Sequence, residues 1–284
     1  MQLTYPEVLD ALNRADNPWI AQPSPIDLSR SRLRRQLGYK RSPGEPTREE
    51  AEAGARRQRH DRTKDTPYPP KSDLRDLGGV DYVTPVRDQR PCAACVAFAA
   101  LAALEATRQF KARDPSLRLD YSEAHLFHCS PGCLKCAFGW RIPLALERLT
   151  AEGVLDDACL PYKPSGGCGK PCDGWETRLT KIRGFKPFKE HEPEAMKSWL
   201  ASEGALITTM SVYEDFGLYY ASGRYRHVAG AYSGEHAVCC IGFDDDAKLW
   251  ICKNSWWTKW GDGGFFRIGY GECGIGAQMW GLLT

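Results

Sequence analysis

A cysteine at the head of a predicted helix is the residue of this sequence best suited to chemistry. Residues 85–92 are turn-prone, and the Ala-rich apolar run that begins at Cys95 predicts a buried helix to about Phe110. Unpaired N–H groups and the positive end of the helix dipole at such an N-terminus favour a thiolate over a thiol. Cys95 is therefore a candidate nucleophile. Gln89, six residues before it, offers an amide that could point at the same spot.

A nucleophile of this kind needs a base and a group that orients the base. His236 begins one strand-like apolar run and Asn254 ends another, 141 and 159 residues after Cys95. His236 could take the thiol proton and later protonate the leaving amine, while Asn254 could fix the orientation of the imidazole. Asn254 could also be an ordinary turn residue at the end of a strand.

Two kinds of element must position these residues. The helical patterns lie at residues 6–14, 47–60, 122–129, 143–152 and 194–202. The strand-like runs lie at residues 205–212, 236–243, 249–255 and 264–268. Cys95 therefore belongs to a part dominated by helices, and His236 and Asn254 belong to a part rich in strands.

Residues 72–284 resemble the papain and cathepsin family of cysteine peptidases. Besides the Cys95, His236 and Asn254 order, the resemblance rests on short motifs in the family's sequence order: Val83-Thr84-Pro85-Val86, Tyr121-Ser122-Glu123, Pro161-Tyr162, Asp215-Phe216, Ser222-Gly223, His236-Ala237-Val238, Lys253-Asn254-Ser255-Trp256, Trp260-Gly261-Asp262-Gly263-Gly264-Phe265 and Cys273-Gly274-Ile275. It implies an α+β fold of two lobes, one helical and one barrel-like, with the active site in the cleft between them. It also implies a thiol endopeptidase that cleaves protein or peptide substrates and needs no cofactor.

The resemblance assigns further site residues. Gln89 and the N–H of Cys95 are expected to form an oxyanion hole. Trp256 is expected to shield the bond between the imidazole and Asn254 from water, and Trp256 and Ala237 are expected at the substrate pocket. Gln278, the fifth residue after Cys273, is expected to be the floor of the second substrate pocket.

Three departures from the family pattern bear on substrate preference. The usual Cys-Gly-Ser-Cys-Trp is replaced by a sequence that ends in Cys95-Val96, Trp257 stands where a glycine is common, and a Gly-Gly pair after the Cys133 position is missing. The first and last changes leave open a second possibility, a papain-like protein that binds peptides in its cleft but no longer hydrolyses them.

The cysteines indicate a disulfide framework. The chain has 12 cysteines, and such a density is typical of secreted proteins. The resemblance implies the pairs Cys92 with Cys133 and Cys129 with Cys168. A third bridge is expected among the extra cysteines, with its partners left open: Cys136, Cys159 and Cys172.

The expected location of the protein rests on two conflicting observations. The cysteine pattern favours a secreted or extracytoplasmic protein, whereas residues 1–6 show no signal-peptide pattern. A formal net charge of +2 argues against a nucleic-acid or membrane-surface partner. A monomer is expected.

Residues 1–71 form an N-terminal extension, separated from the peptidase-like part by a Pro-rich charged linker at residues 65–71. The resemblance implies an inhibitory propeptide that covers the cleft, so the chain's own extension is an expected partner. A partner-binding arm is the plain alternative. The helix at 47–60 has almost no apolar stripe and is expected to attach loosely or to be held mainly by charges. The Asp73-Leu74-Arg75-Asp76 start suggests the bacterial branch of the family.

An alternative of another class uses the same cysteines as metal ligands. Cys92 and Cys95, together with Cys133 and Cys136, have the residue type and pair spacing of a structural zinc site, although the gap between the pairs is long. Such a site would make the chain a metal-stapled binding module. No metal site is expected if the peptidase interpretation holds.

Overall fold

The fold combines helices with one extended sheet. A computed structural model describes residues 2–15, 19–26, 28–60, 63, 66–131, 133, 135–164 and 166–284. The helices are α1 (Tyr5–Ala15), α2 (Arg30–Arg34), α3 (Arg48–Arg57), α4 (Cys95–Ala112), α5 (Ile142–Ala151), α6 (Pro193–Ser202) and α7 (Glu214–Tyr219). The strands are β1 (Trp19–Ala21), β2 (Lys71–Asp73), β3 (Gly184–Lys189), β4 (Leu206–Tyr213), β5 (Tyr220–Tyr225), β6 (Tyr232–Asp244), β7 (Leu249–Lys253), β8 (Phe265–Gly269) and β9 (Gln278–Leu283). Within the described residues, no helix has the length and apolar character needed to cross a membrane.

Helix α4 begins at Cys95 and is buried over most of its length. Its apolar residues are not confined to one stripe, because the helix packs against α5 on one side and against β6 on the other. The helix ends at Ala112 and is followed by the C-cap residue Arg113, whose φ of 51° lies in the left-handed region common at helix C-termini. Cys95 is thereby held at the boundary between the helical part and the sheet.

The sheet brings the two strand-borne candidates together. The strands follow the order β1-β5-β8-β7-β6-β4-β9-β3, and β2 pairs with β6 outside this path. In the antiparallel β6–β7 pair, Cys239 lies opposite Lys253. Asn254, which follows β7, is therefore carried toward His236 on β6.

Two large hydrophobic clusters underlie the two-lobe architecture. One cluster joins α4 and α5 with one face of the sheet, and the other is rich in aromatic side chains on the strand-rich side. Both the predicted α+β class and the predicted papain-like two-lobe fold are confirmed.

The N-terminal extension packs mainly on the strand-rich lobe. Strand β1 pairs with β5, Leu33 of α2 packs on Gly217, and α3 begins with a capping box between Thr47 and Glu50. Lys71, the last residue of the predicted extension, already pairs with Asp244 in the sheet. Asp65, the first residue of the predicted linker, lies outside the described residues.

One of the two predicted disulfides is wrong. Cys92 bonds to Cys136 and not to Cys133. The backbone explains the choice, because Ala93 donates an N–H to the carbonyl of Cys136 and so brings Cys136 alongside Cys92, at a Cα–Cα distance of 4.5 Å. Cys133 remains a buried free thiol.

The other two disulfides agree with expectation. Cys129 bonds to Cys168, as the resemblance implied. The expected third bridge joins Cys159 to Cys172.

Candidate active site

Cys95 lies in a dry environment. Its side chain is fully buried, and this burial raises the pKa of the thiol to about 11. Backbone N–H groups oppose the shift, those of Ala237 and Val96 from the peptidase-like part and those of Gly38 and Tyr39 from the extension. The thiol is therefore protonated at neutral pH in this form of the chain.

His236 and Asn254 form a buried pair. His236 Nε2 and Asn254 Oδ1 are 2.8 Å apart, and the Ser255 N–H donates to the same oxygen. With two donors converging on Oδ1, His236 carries its proton on Nε2 and leaves Nδ1 able to accept one. Among the described residues, Nδ1 has no hydrogen-bond partner. Burial lowers the pKa of His236 to about 4, against the opposing effect of Asn254.

Trp256 covers the imidazole. Its ring stacks on that of His236 with centroids 4.7 Å apart and is itself fully buried. Trp256 packs against Trp260 and Phe216, which fix its position from behind. The pair formed by His236 and Asn254 is thus shielded from solvent on this side.

Gln89 is held so that its amide group faces the cleft. The Ser255 hydroxyl donates to Gln89 Oε1 at 2.6 Å, and the Gln89 backbone N–H donates to the Ser255 carbonyl at 3.0 Å. Nε2 is left to donate, and it does so to the carbonyls of Cys92 and Gln36. Ser255 belongs to a motif recognised in the sequence, but its role in orienting Gln89 was not predicted.

A buried polar link joins the two lobes behind these residues. Lys253, directly before Asn254, donates to the hydroxyl of Thr84 at 3.0 Å, and Thr84 donates to Glu105 at 2.5 Å. Glu105 lies on α4, the helix that begins with Cys95. The link therefore connects β7, the strand directly before Asn254, to the helix that carries the thiol.

The extension passes through the cleft as an extended strand. The Trp140 N–H donates to the Gly38 carbonyl, and the Lys40 N–H donates to the Trp140 carbonyl, at 2.8 and 2.9 Å. On the opposite side, the Tyr39 N–H donates to the carbonyl of Glu235, next to His236. Main-chain hydrogen bonds to both walls hold residues 38–40 in an extended form, as main-chain bonds hold an extended peptide in peptide recognition.

Two glycines allow this close approach. A Cβ on Gly38 would lie 2.0 Å from the carbonyl oxygen of Ala93. A Cβ on Gly139, which has a φ of 80°, would lie 1.8 Å from the carbonyl oxygen of Gly38. Glycine is thus required at 38 by space alone, and at 139 by space and by conformation.

Of the remaining predicted pocket residues, Ala237 lies beside Cys95 and Gln278 lies further along the cleft. Gln278 lines a cavity of about 410 Å³ whose other walls include Pro43, Pro46 and Lys189. Residues 43–46 of the extension therefore cover the expected second substrate pocket.

The structure does not bring together the four cysteines that the zinc alternative requires as ligands. Cys92 and Cys136 are bonded to each other, and their sulphurs are not free thiolates. Within the described part of the chain, the only cluster of three potential ligands adds His128 to these same two cysteines. Cys92, Cys95, Cys133 and Cys136 therefore do not form a four-thiolate zinc site in this structure.

Comparison with known proteins identifies the family. The family model described as "Papain family cysteine protease" matches residues 68–282, so the chain belongs to this family. It is 38% identical over 171 residues to Cathepsin B-like CP3 of Giardia intestinalis, a match that covers 56% of each protein. It is 34% identical over 229 residues to Cathepsin B-like CP1 of the same organism, covering 75% of this chain and 73% of that protein. For the first relatives, such as CP3, the matched part of this chain spans little more than half of the relative's length.

Solved structures support the fold over the whole chain. The proCathepsin B S9 structure from Trypanosoma congolense has a TM-score of 0.77 at 21% identity, covering 98% of this chain and 97% of that one. The recombinant stem bromelain precursor gives 0.67 at 25% identity, covering 98% and 86%. The predicted bacterial branch has no support, because these relatives are eukaryotic.

Proposed function

We propose that the chain is a zymogen of a thiol endopeptidase, in which residues 1–71 are an inhibitory propeptide and Cys95 is the nucleophile. The thiol passes its proton to His236 Nδ1, and the sulphur attacks the carbonyl carbon of the substrate peptide. His236 then protonates the leaving amine, and water hydrolyses the acyl-enzyme on Cys95. Asn254 holds the imidazole in place through Nε2.

Gln89 Nε2 and the Cys95 N–H are proposed to bind the oxyanion that forms in each step. Loss of one such donor typically lowers the rate by about 10²–10³-fold. One chain supplies Cys95, His236, Asn254 and Gln89, so a monomer suffices.

One contact carries this proposal: the carbonyl oxygen of Gln36 lies 2.9 Å from Gln89 Nε2. A carbonyl of the chain itself thus uses the donor that an oxyanion would need. Two further groups of the extension, the N–H groups of Gly38 and Tyr39, approach the thiol. The sulphur faces donors that it cannot attack, which explains how an extension can fill the cleft without being cut there.

The test is hydrolysis of peptides by a chain that starts at Ser72. Cys95→Ala is expected to abolish turnover, His236→Ala to be nearly as severe, and Asn254→Ala to be milder because Asn254 moves no proton. Cys133→Ala, which removes another buried free thiol, is the matched control and is expected to retain activity. Wild-type turnover in Cys95→Ala contradicts the mechanism. An epoxide reagent that fails to label Cys95 favours instead a papain-like binding protein without activity.

A further inference from the structure

Trp257 is exposed although its surroundings would suit a glycine. All nine tryptophans lie in the described part of the chain, and Trp257 is the most exposed of them, at 41%. Its φ of 68° lies in the left-handed region, which is unfavourable for an aromatic residue. Strain of this kind at the edge of an active site suggests that the side chain has a use.

The loop leaves Trp257 little freedom. Its N–H donates to the carbonyl of Arg87, and the neighbouring Trp256 and Trp260 are buried in the aromatic cluster described above. The backbone is therefore fixed on both sides of Trp257, and the side chain must project from the surface.

Two cations surround the exposed ring. Lys259 Nζ lies 4.8 Å from the ring centroid, and the Arg90 guanidinium carbon lies 5.8 Å from it. Asp88 pairs with Arg90 and balances its charge. Among the described residues, Lys259 pairs with no carboxylate. The Trp257 ring thus contacts two cations, and one of them, Lys259, has no carboxylate partner among the described residues.

The position of the ring relates it to one side of the cleft. Trp257 follows Trp256, which stacks on His236, and Arg90 follows Gln89. In the proposed mechanism, His236 protonates the leaving amine, so the leaving group must lie on the His236 side. Trp257 does not line the cavity at Gln278, which lies further along the extension, at residues 43–46.

We infer that Trp257, Lys259 and Arg90 form a specificity-determining site that binds a substrate carboxylate on the leaving-group side of the scissile bond. The inference rests on the proposed function. Trp257 holds the two cations by cation–π contacts, and Lys259 supplies the uncompensated charge. The carboxylate belongs either to an acidic side chain or to the free C-terminus of a short substrate.

The experiment uses the full chain after its extension has been removed by an added protease. Three peptides share one sequence and differ only after the scissile bond: a neutral C-terminal amide, the same peptide with Gln replaced by Glu, and the neutral peptide with a free C-terminal acid. We expect kcat/KM to be about two- to fivefold higher for at least one acidic peptide, the size of an exposed ion pair. Preference for the Glu peptide identifies a side chain as the source, and preference for the free acid identifies the C-terminus.

The variants make the preference specific. Lys259→Glu is expected to reverse the ratio of acidic to neutral peptide, and Trp257→Gly to abolish it. Lys186→Glu is the matched control, because Lys186 is also an exposed lysine, placed on β3 with its Nζ 4.9 Å from the ring centroid of Phe188 on the same strand. That variant is expected to keep the wild-type ratio.

Equal kcat/KM for all three peptides, or an unchanged ratio in Lys259→Glu, overturns the inference while leaving the peptidase function intact. Failure of the peptidase function instead removes cleavage of every peptide. In that case, binding of the same peptides to processed Cys95→Ala protein decides the question. Tighter binding of an acidic peptide, lost in Lys259→Glu, supports the site, and equal binding refutes it.

Discussion

The side-chain amide of Gln89 donates a 2.9 Å hydrogen bond to the backbone carbonyl of Gln36, in the chain's own extension. The same amide is the proposed donor to a substrate oxyanion. Extension and substrate must therefore compete for one group, and whatever weakens the docking of the extension should appear as activity.

Gly38→Ala is expected to activate the full chain. The added Cβ would lie 2.0 Å from the carbonyl oxygen of Ala93, which belongs to the wall of the cleft and cannot easily move, so the extension must lift. Hydrolysis of a short peptide at neutral pH measures the effect, with a chain that starts at Ser72 as the upper limit. Gly44→Asn is the control, because position 44 has open space and asparagine tolerates its φ of 84°. If Gly38→Ala stays as inactive as the full wild-type chain, Gly38 does not govern inhibition.

Removal of the extension is expected to make Cys95 more reactive. Burial, the largest influence, holds the thiol pKa near 11, whereas the smaller effect of the Gly38 and Tyr39 N–H groups of the extension lowers it. Exposure to water lowers the pKa, and each unit by which it falls raises the thiolate fraction at neutral pH about tenfold. Iodoacetamide alkylation as a function of pH, compared between the full chain and a chain starting at Ser72, measures the shift. Cys95→Ala supplies the background from other thiols, and identical profiles for the two chains would count against the docked extension.

Acid is expected to loosen the extension through His60. This residue is buried, its ring stacks on Tyr270 at 3.9 Å, and neither ring nitrogen has a partner among the described residues. Burial lowers the pKa of His60 from 6.5 to about 3, with Lys197 and Lys248 adding to the shift and Asp245 opposing it. The surrounding groups include a buried Lys197–Asp245 ion pair, which Glu194 extends through a second contact with Lys197.

Because the pKa of His60 is lowered in the docked form, docking is strongest above pH 6.5 and weakens as the pH falls toward 3. With a His60 pKa of 6.5 in the undocked form and about 3 in the docked form, the equilibrium constant for docking is expected to be about 30-fold lower at pH 5 than at neutral pH. His60→Phe keeps a ring for stacking but cannot be protonated, so its activation is expected to lose this part of the pH dependence. Arg59→Gln, an exposed neighbour, is expected to behave as wild type. An unchanged acid activation profile in His60→Phe refutes the role of His60.

The cysteine pairing is expected to survive digestion under non-reducing conditions. Mass spectrometry should find a peptide pair that joins Cys92 to Cys136, with Cys133 as a thiol open to alkylation after unfolding. Cys133→Ser should therefore retain the native bridges, whereas Cys136→Ser should leave Cys92 unpaired and lower stability. A cross-linked peptide between Cys92 and Cys133 would contradict the structure.

Gln278 is expected to set the preference at the second substrate pocket. Its amide can hydrogen-bond a polar side chain but cannot neutralise a charge, so wild type should show no strong preference for arginine, and Gln278→Glu should gain one. A peptide library with the chain starting at Ser72 measures the profile. If wild type already prefers arginine, or if the variant is indifferent to it, Gln278 is not the floor of the pocket.

Cys95, His236 and Asn254 could be singled out as candidates from the sequence because their residue types, order and flanking runs are distinctive. The partner of Cys92 could not, since Cys133 and Cys136 are only three residues apart and the choice depends on one backbone contact, between Ala93 and Cys136.

The attachment of α3 could be predicted only in part, for a different reason. A helix without an apolar stripe is expected to dock loosely or through charges. Arg48 and Glu52 do make polar contacts with Tyr213, and Ala51 and Ala55 are buried as well. Small side chains contribute little to a hydrophobic pattern, but they let the helix backbone approach closely: a Cβ on Gly271 would lie 2.7 Å from the carbonyl oxygen of Ala55. Hydrophobic periodicity does not register packing of this kind.

The link from Lys253 through Thr84 to Glu105 has a consequence for what can be digested. If the lobes separated, the buried charges of Lys253 and Glu105 would lose their hydrogen-bond partner Thr84. The distance between the lobes is therefore held nearly constant. In this structure the gap holds one extended segment, residues 38–40, between Trp140 and Glu235, and under the proposed function a substrate is expected to enter in the same extended form. A folded protein should then be cut only as often as one of its segments unravels, and its lifetime in the presence of the enzyme should report its own local stability.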